Sequence, residues 1–115
     1  MPNHRDRLPD VDAQQASAML ERGEALLLDV REPQEWATGH APRAQHLPLS
    51  NLRPESLPTD RPIIAVCRSG NRSGKAADLL AAAGVPVHNL TGGMKRWAES
   101  GLPVVTDSGQ PGTVA

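Results

Sequence analysis

Four short apolar runs recur along the chain, and between them the apolar positions fall at helical spacing. The runs are 25–30 (ALLLDV), 44–49 (AQHLPL), 62–66 (PIIAV) and 85–90 (VPVHNL). The first and third are continuous rather than alternating, which suits strands buried on both faces of a parallel sheet. Asp12 followed by Gln15 reads as a helix cap, with Ala16, Met19 and Leu20 at i, i+3 and i+4 behind it and Gly23 as the stop. Pro33 stands where a first helical turn tolerates it. From Ser73, the spacing of Ala76, Leu79, Leu80 and Ala83 predicts an amphipathic helix closed by Gly84. Residues 91–100 (TGGMKRWAES) read as a turn and a short helix, and 50–60 (SNLRPESLPTD) as a proline-punctuated connection. Strand and helix signals alternate without an internal repeat, so the pattern predicts an α/β domain around a mostly parallel sheet.

Length and composition narrow the picture. At 115 residues the chain has room for one domain. It is expected over 8–105, with flexible polar segments at 1–7 and 106–115. A net charge of -1 with interspersed signs gives no footprint for nucleic acid or an anionic membrane. No apolar stretch approaches the ~20 residues of a membrane span. Residues 1–10 (MPNHRDRLPD) lack the apolar segment of a secretory signal, and a cytoplasmic setting is expected. The one cysteine excludes an internal disulfide and any multi-cysteine metal site. The four histidines, His4, His40, His46 and His88, lack metal-ligand spacing and read as solvent-facing or packing residues. With two tryptophans and neither Phe nor Tyr, the core must come from Leu, Val, Ile, Met and Ala. Trp36 and Trp97 read as large core fillers. Lys75 and Asp78, three apart, read as an exposed helix pair.

The single thiol, Cys67, follows PIIAV directly, at the carboxyl end of a strand where ligands of open parallel sheets gather. The residues behind it, Arg68, Ser69, Gly70, Asn71, Arg72 and Ser73, curl into the start of a helix. Unpaired N–H groups and the positive end of the helix dipole converge there, forming a nest for an anion. Arg68 and Arg72 add two permanent charges, and Gly70 permits a backbone turn that a side chain would obstruct. A free cysteine ending a core strand is ordinarily a small buried hydrophobe. Two arginines and two hydroxyls are a poor core filling, so the loop points instead to a thiolate nucleophile, with Arg68–Ser73 as its binding residues. Asp29 and Arg31 end a neighbouring strand on the same edge. They read either as support behind the loop or, more simply, as a structural ion pair with neighbours such as Glu35.

The sequence resembles the single-domain rhodanese (thiosulfate sulfurtransferase) family over nearly all of 8–105. Four segments carry the resemblance in order: DVREPQEWATGH, AQHLPL, CRSGNRS and LTGGMKRWAESGLPV. After Gly39-His40 the family shows Ile-Pro-Gly-Ala, where this chain has Ala-Pro-Arg-Ala. The resemblance implies a sheet of about five strands flanked by helices on both faces, and a structural hydrogen bond at His40. It also implies a persulfide mechanism needing no metal or organic cofactor. Cys67 would take the outer sulfur of thiosulfate or a similar donor and hand it to cyanide or a cellular thiol. Two other readings stand beside it. One is a non-enzymatic sulfur carrier or interaction module serving a protein acceptor. The other is a phosphatase or arsenate reductase of related fold, whose loops run Cys-x5-Arg rather than the shorter Cys-x4-Arg found here.

Overall fold

The computed structural model describes residues 6–114. Residues 1–5, which include His4 and most of the expected flexible N-terminus, lie outside the described residues, as does Ala115. The elements in order are α1 (Ala13–Glu21), β1 (Leu26–Asp29), α2 (Pro33–Thr38), β2 (Gln45–His46), β3 (Ile63–Val66), α3 (Asn71–Ala82), β4 (Val87–Asn89) and α4 (Gly93–Glu99). Two single 3-10 turns, Leu49–Asn51 and Pro54–Ser56, lie in the proline-rich connection before β3.

The strands form one parallel sheet in the order β2-β1-β3-β4. Side chains alternate across it, as the strand period requires. Leu27, Ile64 and Val66 face a cluster with Ala16 of α1 and Met94 and Trp97 of α4. Leu28, Ile63, Ala65 and Cys67 face the other cluster, with Ala76, Ala77 and Leu80 of α3. Helices therefore cover both faces, as the resemblance implies. The expected count of about five strands becomes four among the described residues. The segment beside β4 makes only isolated bridges, Arg7 to Val87 and Val11 to Leu90. Pro9 between them has no N–H to give a ladder, and the chain turns into α1 at Asp12.

Several local expectations meet their physical cause. Asp12 accepts the Gln15 N–H at 2.8 Å while the Gln15 side chain accepts from the Asp12 N–H at 2.9 Å, closing a capping box. The buried stripe of α3 is Ser73, Ala76, Ala77, Leu80 and Ala81 rather than the stripe through Leu79, which is 55% exposed. This Ala-rich helix offers two overlapping stripes, and the one facing the sheet carries Ser73 inward with it. Asp78 pairs with Arg7 at 3.2 Å rather than with Lys75. In the Ala-Pro-Arg-Ala turn, Ala44 N–H donates to Ala41 O at 3.3 Å, and Arg43 adopts φ +69°. It is the one non-glycine residue with positive φ among those described, at the position where the family pattern has glycine.

The segment 106–115, read from composition as a flexible tail, is instead packed onto the domain over its described part. Thr113 N–H donates to Thr38 O and Gly112 N–H to Val104 O, at 2.9 and 2.8 Å. Its glycine serves close approach: a Cβ on Gly112 would lie 2.8 Å from the Gly39 Cα. No helix among the described residues is long and apolar enough to cross a membrane.

Candidate active site

The parallel register brings the ends of β1, β3 and β4 to one edge, Asp29 beside Val66 and Ala65 beside Asn89. Cys67 emerges from this edge, and its loop is docked on the first turn of α4. Met94 N–H donates to Cys67 O at 2.8 Å and Lys95 N–H to Arg68 O at 3.0 Å. Both carbonyls are thereby turned toward α4. Because the peptide is planar and trans, the Ser69 N–H on the opposite edge of its unit is turned toward the sulfur. Gly93 makes this docking possible, since a Cβ there would lie 2.4 Å from both the Cys67 and Arg68 carbonyl oxygens.

The sulfur lies at the floor of the loop, with Cys67 only 1% exposed. Gly70, at φ +116°, caps α3 and gives its N–H to Cys67 Sγ at 3.1 Å. The buried Ser73 hydroxyl lies 3.3 Å from the same sulfur. Burial pushes the Cys67 thiol up. The Ser73 hydroxyl and the N–H groups of Ser73, Gly70 and Ser69 outweigh it and leave the thiol below its ordinary range.

The remaining loop residues divide. Arg68 and Ser69 are exposed, and a shallow depression lined by Ser69, Gly92, Lys95, Arg96 and Glu99 opens beside them. Asn71 is exposed at the first turn of α3. Arg72, expected to meet an anionic donor, is held by Glu35 of α2 through two contacts, Nη1 to Oε1 at 2.5 Å and Nη2 to Oε2 at 2.8 Å. Hydrogen bonding to this guanidinium holds the Glu35 carboxyl down at about 2, and the same contact raises Arg72 above its ordinary value.

Asp29 and Arg31 form a fully buried fork-to-fork pair, with Arg31 Nε 2.9 Å from Oδ1 and Nη2 2.8 Å from Oδ2. Arg31 also donates to the Gly39 carbonyl at 2.8 Å and the Glu35 carbonyl at 3.4 Å. The ion-pair reading holds with a different partner. Arg31 pairs with Asp29 and touches the backbone of Glu35, tying α2 to β1 and placing the Glu35 carboxylate for Arg72.

Trp97 is a core residue, 3% exposed, whose indole N–H donates to Pro103 O at 2.8 Å. Trp36 is not in the core. It is half-buried and stacks on His40 with ring centroids 3.6 Å apart, and on His46 at 4.6 Å. One oxygen of Asp107 reaches both Trp36 Nε1, at 3.1 Å, and His40 Nε2, at 2.9 Å. Two site residues escaped the sequence reading. The sequence offers Glu35 only as an ion-pair neighbour for Asp29 and Arg31, not as the partner of Arg72. Asn89, at the end of β4, accepts the Ser73 hydroxyl at 2.6 Å and donates to Gly70 O at 3.3 Å. A polar residue ending an apolar run was the only signal for it.

Known proteins repeat both the fold and the sequence. The model of the rhodanese-like domain matches residues 12–100. The chain is 42% identical over 89 residues to an uncharacterized protein of Synechocystis, slr1261, a match covering 75% of this chain and half of that relative. It is 39% identical to a sulfurtransferase of Allochromatium vinosum, covering 87% of this chain and 97% of that one. The crystal structure of a rhodanese-related protein from Thermoplasma volcanium superposes with a TM-score of 0.81 at 29% identity, covering 87% of this chain and all of that one. The sheet order, the buried sulfur in its loop of amides and the span of the family match agree: the chain belongs to the rhodanese-like domain family.

Proposed function

We propose that this protein is a sulfurtransferase that carries sulfane sulfur on Cys67, from thiosulfate or a similar donor to a thiophilic acceptor such as cyanide or a cellular thiol. The observation that carries this reading is the Cys67 sulfur at the floor of a loop, facing the Gly70 N–H at 3.1 Å and the Ser73 hydroxyl at 3.3 Å. These donors favour a thiolate and the anionic states that follow it. The thiolate attacks the outer sulfur of thiosulfate, the S–S bond breaks, and its electron pair departs with sulfite. Cys67 is left as a persulfide. The acceptor nucleophile then attacks the outer sulfur, and the electron pair of the second S–S bond returns to Cys67.

Arg68, Lys95 and Arg96 outnumber Glu99 around the depression beside the loop, a positive cast that suits a dianionic donor. Arg72 acts mainly by fixing the loop, because Glu35 balances its charge. The same pairing counts against a phosphatase or arsenate reductase, whose tetrahedral oxyanion needs the loop arginine for itself. With one cysteine to keep reduced, the reaction belongs in the cytoplasm. A protein acceptor fits the same chemistry. Thiocyanate formation from thiosulfate and cyanide tests the assignment. Double-displacement kinetics, abolished in Cys67→Ser, are expected, and undiminished turnover in Cys67→Ser would overturn it.

A further inference from the structure

Asn89 lies on β4, outside the Cys67 loop, yet it touches two groups that contact the sulfur. Its Nδ2 donates to Gly70 O at 3.3 Å and its Oδ1 lies 2.6 Å from Ser73 Oγ. Chemistry fixes this orientation. A carbonyl only accepts, so the amide nitrogen faces Gly70, the oxygen faces Ser73, and the Ser73 hydroxyl must be the donor between them. Ser73 has one proton and three acceptors within reach: Asn89 Oδ1 at 2.6 Å, Cys67 Sγ at 3.3 Å, and Gly70 O at 3.3 Å, which already accepts from Gly74 N–H and Asn89 Nδ2. With the proton on Asn89, the hydroxyl offers the sulfur only a lone pair, which suits a protonated thiol. When the sulfur is an anion, the hydroxyl must turn toward it, and Asn89 Oδ1 loses its donor.

We propose that Asn89 is a positioning residue for Cys67, acting through Ser73 as a two-position hydroxyl switch. The proton points to Asn89 while the sulfur is a thiol and to the sulfur when it is a thiolate. Rotation about the Ser73 Cβ–Oγ bond makes the exchange with no larger rearrangement of a fully buried Ser73 and an Asn89 only 8% exposed. In sulfur transfer the switch serves the second step. As the acceptor takes the outer sulfur, the electron pair of the broken S–S bond returns to Cys67, and the hydroxyl turns to meet the new thiolate. This last use rests on the sulfurtransferase reading. The switch itself does not, and it is read on the thiol alone.

The chain has one cysteine, so the rate of alkylation against pH reports Cys67 without interference. Asn89→Ala removes the nearest competing acceptor. The Gly70 carbonyl is not orphaned by it, since Gly74 N–H still donates there at 3.0 Å. The variant should lower the apparent thiol pKa by about half a unit to one unit, a roughly three- to tenfold gain in thiolate below the pKa. In a Ser73→Ala background the same substitution should produce no shift. Asn89→Asp, a nearly isosteric and stronger acceptor, should raise the pKa, and by more with Ser73 present than in Ser73→Ala. A loosened loop would instead raise the pKa in Asn89→Ala as well. The proposal is overturned if Asn89→Ala leaves the pKa unchanged or raises it. Shifts of equal size with and without the Ser73 hydroxyl, in either variant, would overturn it too.

Discussion

Glu35 grips Arg72 through both carboxylate oxygens across 37 residues of sequence, joining α2 to the loop that holds Cys67. The side chains are 17% and 34% exposed, so the pair is partly shielded from water. Replacing Glu35 with Gln keeps the shape and removes one charge, and should cost about 1–2 kcal/mol at neutral pH, after allowing for solvent at the Arg72 end. The sign of its pH dependence follows from Glu35, held down at about 2 when folded. A depressed carboxylate stabilises the fold above its unfolded value of roughly 4.3 and loses that contribution as pH falls toward the folded value. Denaturation curves of wild type and Glu35→Gln should therefore be well separated at neutral pH and converge as acid approaches pH 2. A gap that persists unchanged in acid would mean that packing, not charge, holds the pair.

The same substitution has a kinetic side. Freed of its counter-charge, Arg72 would add to the positive field over the sulfur, so Glu35→Gln should lower the KM for thiosulfate and steepen its dependence on salt. Steady-state kinetics at two ionic strengths checks this, and a raised KM would show that ordering of the loop matters more than charge.

Behind that pair lies the Asp29–Arg31 fork, with no exposure of either side chain. Removing the guanidinium strands a carboxylate in the interior. Arg31→Ala should cost about 3–5 kcal/mol in chemical denaturation, roughly two to three times the effect of Glu35→Gln.

The two ends of the strand-to-helix logic were legible in different degrees. Asp12 and Gln15 announced their capping box because both partners lie within one turn, and Cys67 announced its loop because arginines and hydroxyls cannot be explained as core. What could not be read locally depends on tertiary register. Glu35 finds Arg72, and Asn89 finds Ser73, only when a parallel sheet stacks their elements. The segment after Val105 misled for another reason. Glycine and proline suggested freedom, but here Gly112 permits contact with the Gly39 backbone, and Asp107 has an indole and an imidazole to hold.

Arg43 holds a left-handed conformation, at φ +69°, in the turn from Ala41 to Ala44. A side chain there is disfavoured by about 1–2 kcal/mol, and glycine gives back part of that in the unfolded chain. Arg43→Gly should therefore stabilise the domain by about 0.5–1 kcal/mol, visible as a higher denaturation midpoint with an unchanged slope.

Among the described residues, Asp107 is the side chain through which the closing segment hydrogen-bonds both Trp36 and His40. Asp107→Ala should cost about 0.5–1.5 kcal/mol and release the indole N–H to water, shifting the Trp36 contribution to fluorescence. Trp97, bonded to Pro103 in the core, should be unaffected, so a Trp97→Leu background isolates the signal.

The central claim is that Cys67 stores the sulfur, and intact mass spectrometry of the thiosulfate-treated protein tests it most directly. The chain has no second cysteine to confuse the result. The account predicts the added mass of one sulfur atom, located on the Cys67 peptide and removed by cyanide with release of thiocyanate. Loading without turnover would keep the persulfide and make the protein a carrier awaiting a protein acceptor. A protein that stays at its original mass, or that gains sulfur equally as Cys67→Ser, would contradict the account.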